Sequence, residues 1–536
     1  MKNSRSTAAH AAPVFTRRGL LRGAGGIAGL AGLGAVGLLT GCADRPSPAG
    51  APSGGTPVPG GTLRVVFAGT SATADVLDPH VVGHSAGGAL SKAVWDHLVD
   101  YNNDLTLDYR LAESLEPNAD GSQWRMGLRR GVEFSDGSPF TSRDVMWSLE
   151  RMLDEEKPSA GDLDIIDFSR TRPDGDHAVV VSMKEPVADF GSVLAGWYVY
   201  VIKYGTTEFT PSSLPVGTGP FVLQSWSPGD RSVLTRNDKH WDRRPHLEGL
   251  EILQVAEADA RFNAFGSQEA DVVYELSPAQ GNILRSQSDV YLVTPPVGTM
   301  SSFTMRTDLA PFDDPRVREA LKLAVDRQAM VDKVYYGFAE VGNDLYGKGA
   351  PFYADMPQRS YDPERARRLL REAGKENLVV TLHTADVSPG QLESATLFAE
   401  QAKAAGITVN LAVEPGDTYF SQVVGSKPLT QSGWWNYSLD YFYGQTLTSD
   451  APANATGWRR PQWDATFAQA RAEMDPARRG ELYQELQDEL WNDSGYLVHS
   501  FALQPTGVRN TVQGITDGVP GTGQWASFTG TWLQQR

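Results

Sequence analysis

The chain has 536 residues, 40% of them hydrophobic and 21% charged, with a formal net charge of −17 and one cysteine. That balance excludes a disordered or disulfide-stapled chain and fits a globular one of at least two domains. So acidic a chain does not bind nucleic acid through its phosphates, and a lone thiol leaves the core to carry stability without an intramolecular disulfide.

The N-terminus reads as a targeting segment. Thr16-Arg17-Arg18-Gly19-Leu20-Leu21-Arg22 resembles a twin-arginine export motif, residues 23–39 are rich in Gly, Ala and Leu, and Leu39-Thr40-Gly41-Cys42 matches a lipobox. Its glycines and short apolar run argue against a membrane-spanning helix. The expectation is a signal peptide over residues 1–41 and a diacylglyceryl anchor on Cys42, two acyl chains being about what stable anchoring requires. Residues 42–60, rich in Pro, Gly, Ser and Ala, read as a flexible tether. The segment 1–41 carries Lys2, Arg5, Arg17, Arg18 and Arg22 and no acid, so its removal takes the charge from −17 to −22.

Residues 62–67 form a β-branched strand. Leu77-Asp78-Pro79-His80 follows, then Gly83-His84-Ser85-Ala86-Gly87, a literal G-x-S-x-G. A hydrolase elbow needs a strand before the serine and an oxyanion loop upstream. Here Val81-Val82 alone separate the Leu77-Asp78-Pro79-His80 turn from the motif, and a small-residue helix from Ser85 to Trp95 explains the same letters. A serine esterase using Ser85 stands as the alternative reading.

In residues 123–128, Trp124, Met126 and Leu128 alternate onto one face of a strand. A turn at Ser135-Asp136-Gly137 leads to Thr141 and Asp144, a hydroxyl cap with an acid three residues on, and Val145, Leu149 and Met152 then recur at helical spacing. The run QWRMGLRRGVEFSDGSPFTSRDVMWSLERML resembles the signature of family 5 solute-binding proteins of bacterial ABC importers. Further along, the PVGTGPF of residues 215–221 with Trp226, Pro228-Gly229-Asp230, Arg236-Asn237 and Trp241 is similar to a second block of that family. The glycines there precede a strand, whereas a phosphate-binding loop precedes a helix.

Residues 178–183 are a strand and 189–202 a mostly apolar segment with Trp197, Tyr198 and Tyr200. A β-α-β pattern covers 250–255, 258–265 and 271–274, and a strand covers 301–306. Asp314-Pro315 opens a helix expected to run to about Tyr336, and the same device recurs at Asp362-Pro363 and Asp475-Pro476. Residues 378–383, 391–405 and 407–413 repeat the β-α-β pattern, and 496–501 and 507–512 are closing strands.

Alternating strands and helices, twice over, indicate α/β lobes. The resemblance implies a two-lobed class II periplasmic-binding-protein-like fold with an extra subdomain in lobe I. Lobe I would take residues 61–298 and 503–536, and lobe II 299–502. Two hinge crossings would fall near 298–305 and 499–504, so that a gripped ligand favours the closed form.

The nine histidines show no H-E-x-x-H or H-x-H spacing and no triad stands out, so neither metal, cofactor nor catalysis is expected. The informative stretch is 431–447, QSGWWNYSLDYFYGQTL, read as an aromatic-rich polar loop after a strand, with Asn436 and Asp440 interleaved. Peptide-binding relatives carry an acid here that pairs with the ligand amine; Tyr437 falls in its place, while Asp440 matches a second acid. Trp434, Trp435 and Tyr437 suit stacking on a ring or a cation. Trp197 and Tyr198, Ser301 and Ser302, and Arg459 as a carboxylate clamp complete the candidate ligand site. The resemblance further implies a monomeric receptor, outside the membrane, for a peptide or peptide-like solute, handing it to an ABC permease and its ATPases. A solute sensor on the same fold is the remaining alternative.

Overall fold

Val65, Val66 and Phe67 are buried on both sides of Thr62–Phe67, which is how a central, doubly covered strand reads. In the computed structural model this strand is flanked in parallel by Gly249–Gln254 and Val272–Val273. Residues 55–534 are described, except 155–156, 297, 436, 517 and 520; the expected signal segment, Cys42, the tether to residue 54 and Asn436 lie outside them. Lobe I is a seven-stranded sheet in the order Val290–Val293, Thr506–Arg509, Val272–Val273, Thr62–Phe67, Gly249–Gln254, Arg231–Arg236, Phe221–Ser227. The helix Ser85–Val94 lays Ala86, Ala89, Leu90 and Ala93 on this sheet.

A four-stranded antiparallel sheet, Ala112–Pro117, Gln123–Leu128, Ala178–Ser182 and Arg172–Pro173, forms the subdomain. The helix Ser142–Met152 covers it with Val145, Leu149 and Met152, all buried. Its first turn is closed by Asp144, whose carboxylate accepts from the Thr141 amide at 2.8 Å and hydroxyl at 3.0 Å.

Lobe II is a six-stranded sheet, Ala339–Val341, Tyr496–Ala502, Thr299–Met305, Leu429–Trp434, Val379–Thr384, Thr408–Val413. Phe303, Met305, Leu382 and Phe398 make its core on one side. On the other, the helices Leu439–Thr446, Pro461–Ala472 and Pro476–Asp493 join one apolar cluster that continues into the subdomain. The chain leaves the first sheet after Val293, enters the second at Thr299, and returns between Ala502 and Thr506. At this double crossing the strands nearly touch: a Cβ on Gly298 would stand 1.7 Å from the Ala502 carbonyl oxygen.

Two expectations are corrected. The helix opened by Asp314 ends at Leu323, and a new turn, Arg327–Ala329, starts under its own cap, Asp326, before passing into a π-helical turn, Met330–Val334. Asp326 bonds the Ala329 amide and thereby competes with helix continuation. Residues 431–447 are also less irregular than expected. They finish the strand Leu429–Trp434 and start the helix Leu439–Thr446, whose cap is Ser438.

Candidate functional site

Successive residues of a strand point to opposite sides, and Trp434 and Trp435 obey this at the end of Leu429–Trp434. Trp434 turns toward the helical side of lobe II and meets Phe442 edge-on at 5.5 Å. Trp435 crosses the gap and packs on the lobe I cluster, its ring 6.4 Å from that of Trp197. The loop is pinned by Tyr346, whose hydroxyl donates to the Trp435 carbonyl and accepts from the Tyr437 amide.

On the lobe I side the wall is aromatic. Phe67 stacks on Tyr274 at 4.1 Å, Trp525 lies 5.7 Å from Phe67 and 5.4 Å from Trp197, and the Trp197 indole donates to the Val82 carbonyl at 2.9 Å. The helix Ser85–Val94 leaves room for Trp197 by carrying Gly88, where a Cβ would stand 2.2 Å from the ring. Tyr198 is half-buried beside Gly83 on the same cluster.

Between the lobes, Pro278, Ser301, Tyr335, Gln391, Ser432 and Trp435 line a cavity of about 60 Å³ beside the Ala502–Gln504 crossing. Its lobe II floor is polar and largely satisfied, the exception being the buried Gln391 Nε2, which has no hydrogen-bond partner. Gln431 bonds Thr384 at 2.9 Å and Ser394 at 2.8 Å, and the Tyr335 hydroxyl donates to Ser301 at 3.3 Å. Burial raises the Tyr335 pKa, so the phenol stays neutral and able to donate. A cavity this size holds a water or two, far below the several hundred Å³ of a small-molecule pocket. Admission of a solute therefore requires the lobes to part.

Three expected site residues lie elsewhere. Ser302 is fully buried, with its hydroxyl bonded to the Ser432 carbonyl at 3.1 Å; it belongs to the interior of the sheet, and Ser301 is the hydroxyl on the cavity wall. Asp440 starts a helix at the contact between lobe II and the subdomain, where Arg471 Nε holds it at 2.9 Å. Burial, opposed by Arg471 and reinforced by nearby Asp189, raises its carboxyl above the usual range. Arg459 is exposed and donates to the Ser449 carbonyl. Sequence reasoning also missed Tyr274, Trp525 and Tyr335, which come from three distant segments and carry no shared motif.

The G-x-S-x-G geometry does not support ester hydrolysis. Ser85 follows turns rather than a strand, and its hydroxyl donates to Glu275 at 2.5 Å. His84 has both ring nitrogens engaged, Nδ1 by the Gly87 amide at 3.2 Å and Nε2 by Asp75 at 3.0 Å, so it does not serve as the serine's histidine base. Among the described residues no group of His, Cys, Asp and Glu has metal-binding geometry, and no helix is long and apolar enough to cross a membrane.

Residues 106–454 match the family described as bacterial extracellular solute-binding proteins, family 5 (middle region). The chain is 25% identical over 450 residues to the glutathione-binding protein GsiB of Escherichia coli (strain K12), covering 81% of this chain and 88% of that one. Its fold is similar to that of the ABC transporter substrate-binding protein CtaP of Listeria monocytogenes, with TM-score 0.80, 20% identity, and 89% and 100% of the two chains covered. The periplasmic binding protein DppA of Helicobacter pylori, solved with the peptide STSA, is similar at TM-score 0.72 and 20% identity, with 89% and 99% covered.

Proposed function

The chain belongs to family 5 of the bacterial extracellular solute-binding proteins, and from that premise we propose that it is the monomeric, lipid-anchored receptor of an ABC importer for a peptide or peptide-like solute. The observation that carries this reading is the pair Trp197 and Trp435, one from each lobe, with ring centroids 6.4 Å apart across the gap. A ligand inserted there touches both lobes at once, and contacts made only when the lobes are together are what favour closure. The aromatic faces on either side offer apolar area and cation attraction without a reacting group. GsiB is named for glutathione binding and DppA was solved with a tetrapeptide, which supports peptide-like solutes as the class. The lipobox at Cys42 supports anchoring at the outer face of the cytoplasmic membrane.

The test is thermal unfolding of the full chain, purified in detergent, against panels of peptides, sugars and opines. Mass action predicts stabilisation of about 2.7 kcal/mol when free solute reaches a hundred times its Kd. Failure of every solute to shift the transition overturns the receptor reading. Cys42→Ala is expected to move the chain from the membrane to the soluble fraction, and continued membrane retention overturns the anchor.

A further inference from the structure

The family resemblance puts Tyr437 where peptide-binding relatives carry an acid, and Asp440 is held by Arg471. Lobe II therefore brings no free carboxylate to the aromatic gap from this segment. Across the gap, in lobe I, the chain turns sharply after Val272–Val273. Glu275 adopts a left-handed backbone with φ 58°, a conformation that side-chain-bearing residues rarely take. That turn folds its carboxylate back over the end of Thr62–Phe67 and the start of Ser85–Val94. Oε2 accepts from the Ala68 amide at 2.8 Å and Oε1 from the Ser85 hydroxyl at 2.5 Å.

Several interior and half-buried acids have cations: Asp78 has Arg151, Asp100 has Lys92, Asp271 has Arg64, and Asp344 has both Arg327 and Arg359. Buried Asp144 has none and is held instead by the Thr141 and Tyr204 amides inside the fold. Glu275 also has none, but stands beside the aromatic wall. Among the described residues no Lys, Arg or His nitrogen lies within 4.0 Å of its carboxylate oxygens. The Arg261 charge acts on Glu275 from beyond that distance, but its guanidinium is committed to the backbone carbonyls of Val255 and Ala256, at 2.9 and 2.6 Å, and of Glu275 itself, at 3.4 Å. A carboxylate offers about four lone-pair positions, of which two are taken, and an ammonium brings three donors.

The surroundings set where such a donor would come from. Tyr274, next in the chain, is part of the aromatic wall with Phe67. Pro278, three residues on, lines the interlobe cavity with Trp435 and Ser301. Ser85 begins the helix whose Gly88 abuts Trp197, the partner of Trp435. The half-buried carboxylate is thus joined to the aromatic wall through Tyr274 and Ala68, to the Trp197 helix through Ser85, and by three residues of chain to the cavity wall at Pro278. We infer that Glu275 is a ligand-binding residue that receives the primary ammonium of an amine-bearing, peptide-like solute, the charge partner being supplied from lobe I in place of the acid that Tyr437 displaces. This rests on the receptor reading above. A purely structural Glu275 would serve as anion for the Ser85 helix, a role that a neutral isostere with the same oxygen acceptor largely preserves.

Two probes separate the roles: an equimolar mixture of free-amine tripeptides, and the same mixture N-acetylated. Each is titrated by thermal unfolding into the full chain and into Glu275→Gln. Glu275→Gly is the second variant, since glycine suits the left-handed backbone and removes the carboxylate without strain. The full chain is expected to respond to the free-amine mixture at concentrations at least about tenfold lower than to the acetylated one, as for a charge-assisted contact. Both variants are expected to lose that preference; Glu275→Gln melts, without peptide, close to the parent, whereas Glu275→Gly melts lower because the Ala68 amide and Ser85 hydroxyl lose their acceptor. Retention of the preference in the variants overturns the inference, as does equal response of the parent to both mixtures. Stabilisation by sugars or other amine-free solutes alone overturns it while leaving the receptor reading standing; no response to any solute overturns both.

Discussion

His80 is fully buried, with Nε2 against the Tyr200 carbonyl at 2.9 Å and Nδ1 against Arg151 at 2.8 Å. It thereby ties the Leu77-Asp78-Pro79-His80 turn to the segment that carries Trp197 and Tyr198. Burial, reinforced by Arg151, lowers its pKa to about 4, and burial lowers that of His499 to about 3. In an unfolded chain both titrate near 6.5. The unfolded state thus binds more protons between pH 4 and 6.5, and stability present above that window is lost as pH falls through it. His80 alone accounts for about 3 kcal/mol of that loss. Urea unfolding at pH 7.5 and 4.5 measures it, and His80→Gln is expected to flatten the dependence. An unchanged slope in the variant would refute the assignment. Asp440, whose carboxyl is raised by burial, adds its own pH dependence, so the His80 share is read as the difference between the parent and His80→Gln.

At the scale of elements, the helix Ser142–Met152 shows how a local signal acquires a distant use. Asp144 closes the first turn, as Thr141 and the three-residue spacing announce, but its other oxygen accepts from the Tyr204 amide at 2.8 Å. Ser148, one turn on, bonds the Ile202 amide at 3.0 Å. One helix face therefore fastens the chain that follows Trp197. Asp144→Ala is expected to cost about 1–3 kcal/mol, more than an ordinary exposed cap, because it leaves the buried partners of the carboxylate unpaired. Chemical denaturation gives that number, and a loss below about 0.5 kcal/mol would show that the second bond contributes nothing. The segment 431–447 teaches the converse. Its aromatic letters read as one patch, yet strand alternation sends Trp434 and Trp435 apart, and the cap Ser438 starts a helix that carries Asp440 to Arg471.

For the whole molecule, lobe II touches lobe I at Phe338, which packs in a lobe I cluster beneath Arg285, and in two further places. One is the apolar cluster shared by the subdomain and the lobe II helices, with the Ala188 amide bonded to the Arg471 carbonyl at 2.9 Å. The other is the tryptophan pair beside the cavity. Parting the lobes exposes both, so a solute must replace the contacts it displaces at the second. Trp435→Ala is expected to raise the solute concentration needed for stabilisation at least about tenfold, the range of a stacked aromatic contact. The unliganded chain should lose less than at a fully buried ring, since Trp435 is only half-buried. Trp463→Ala, at a fully buried ring, should instead cost about 3–5 kcal/mol. Equal loss of stability in the two variants would place Trp435 in the core rather than at the gap.

What the sequence by itself determined was everything that depends on near neighbours. The strand alternation of Gln123–Leu128, the caps Thr141, Asp314, Asp362 and Asp475, and the runs that match family 5 were legible because each is decided within a few residues. Tertiary structure alone decided which side of the sheet Ser302 occupies, that Asp440 meets Arg471, and that Trp435 rather than Trp434 faces Trp197. It also brought Ala68, Ser85 and Glu275 together from segments some two hundred residues apart. Charge pairing and burial act through space, and a carboxylate without a cation becomes visible only when the chain has placed all the others.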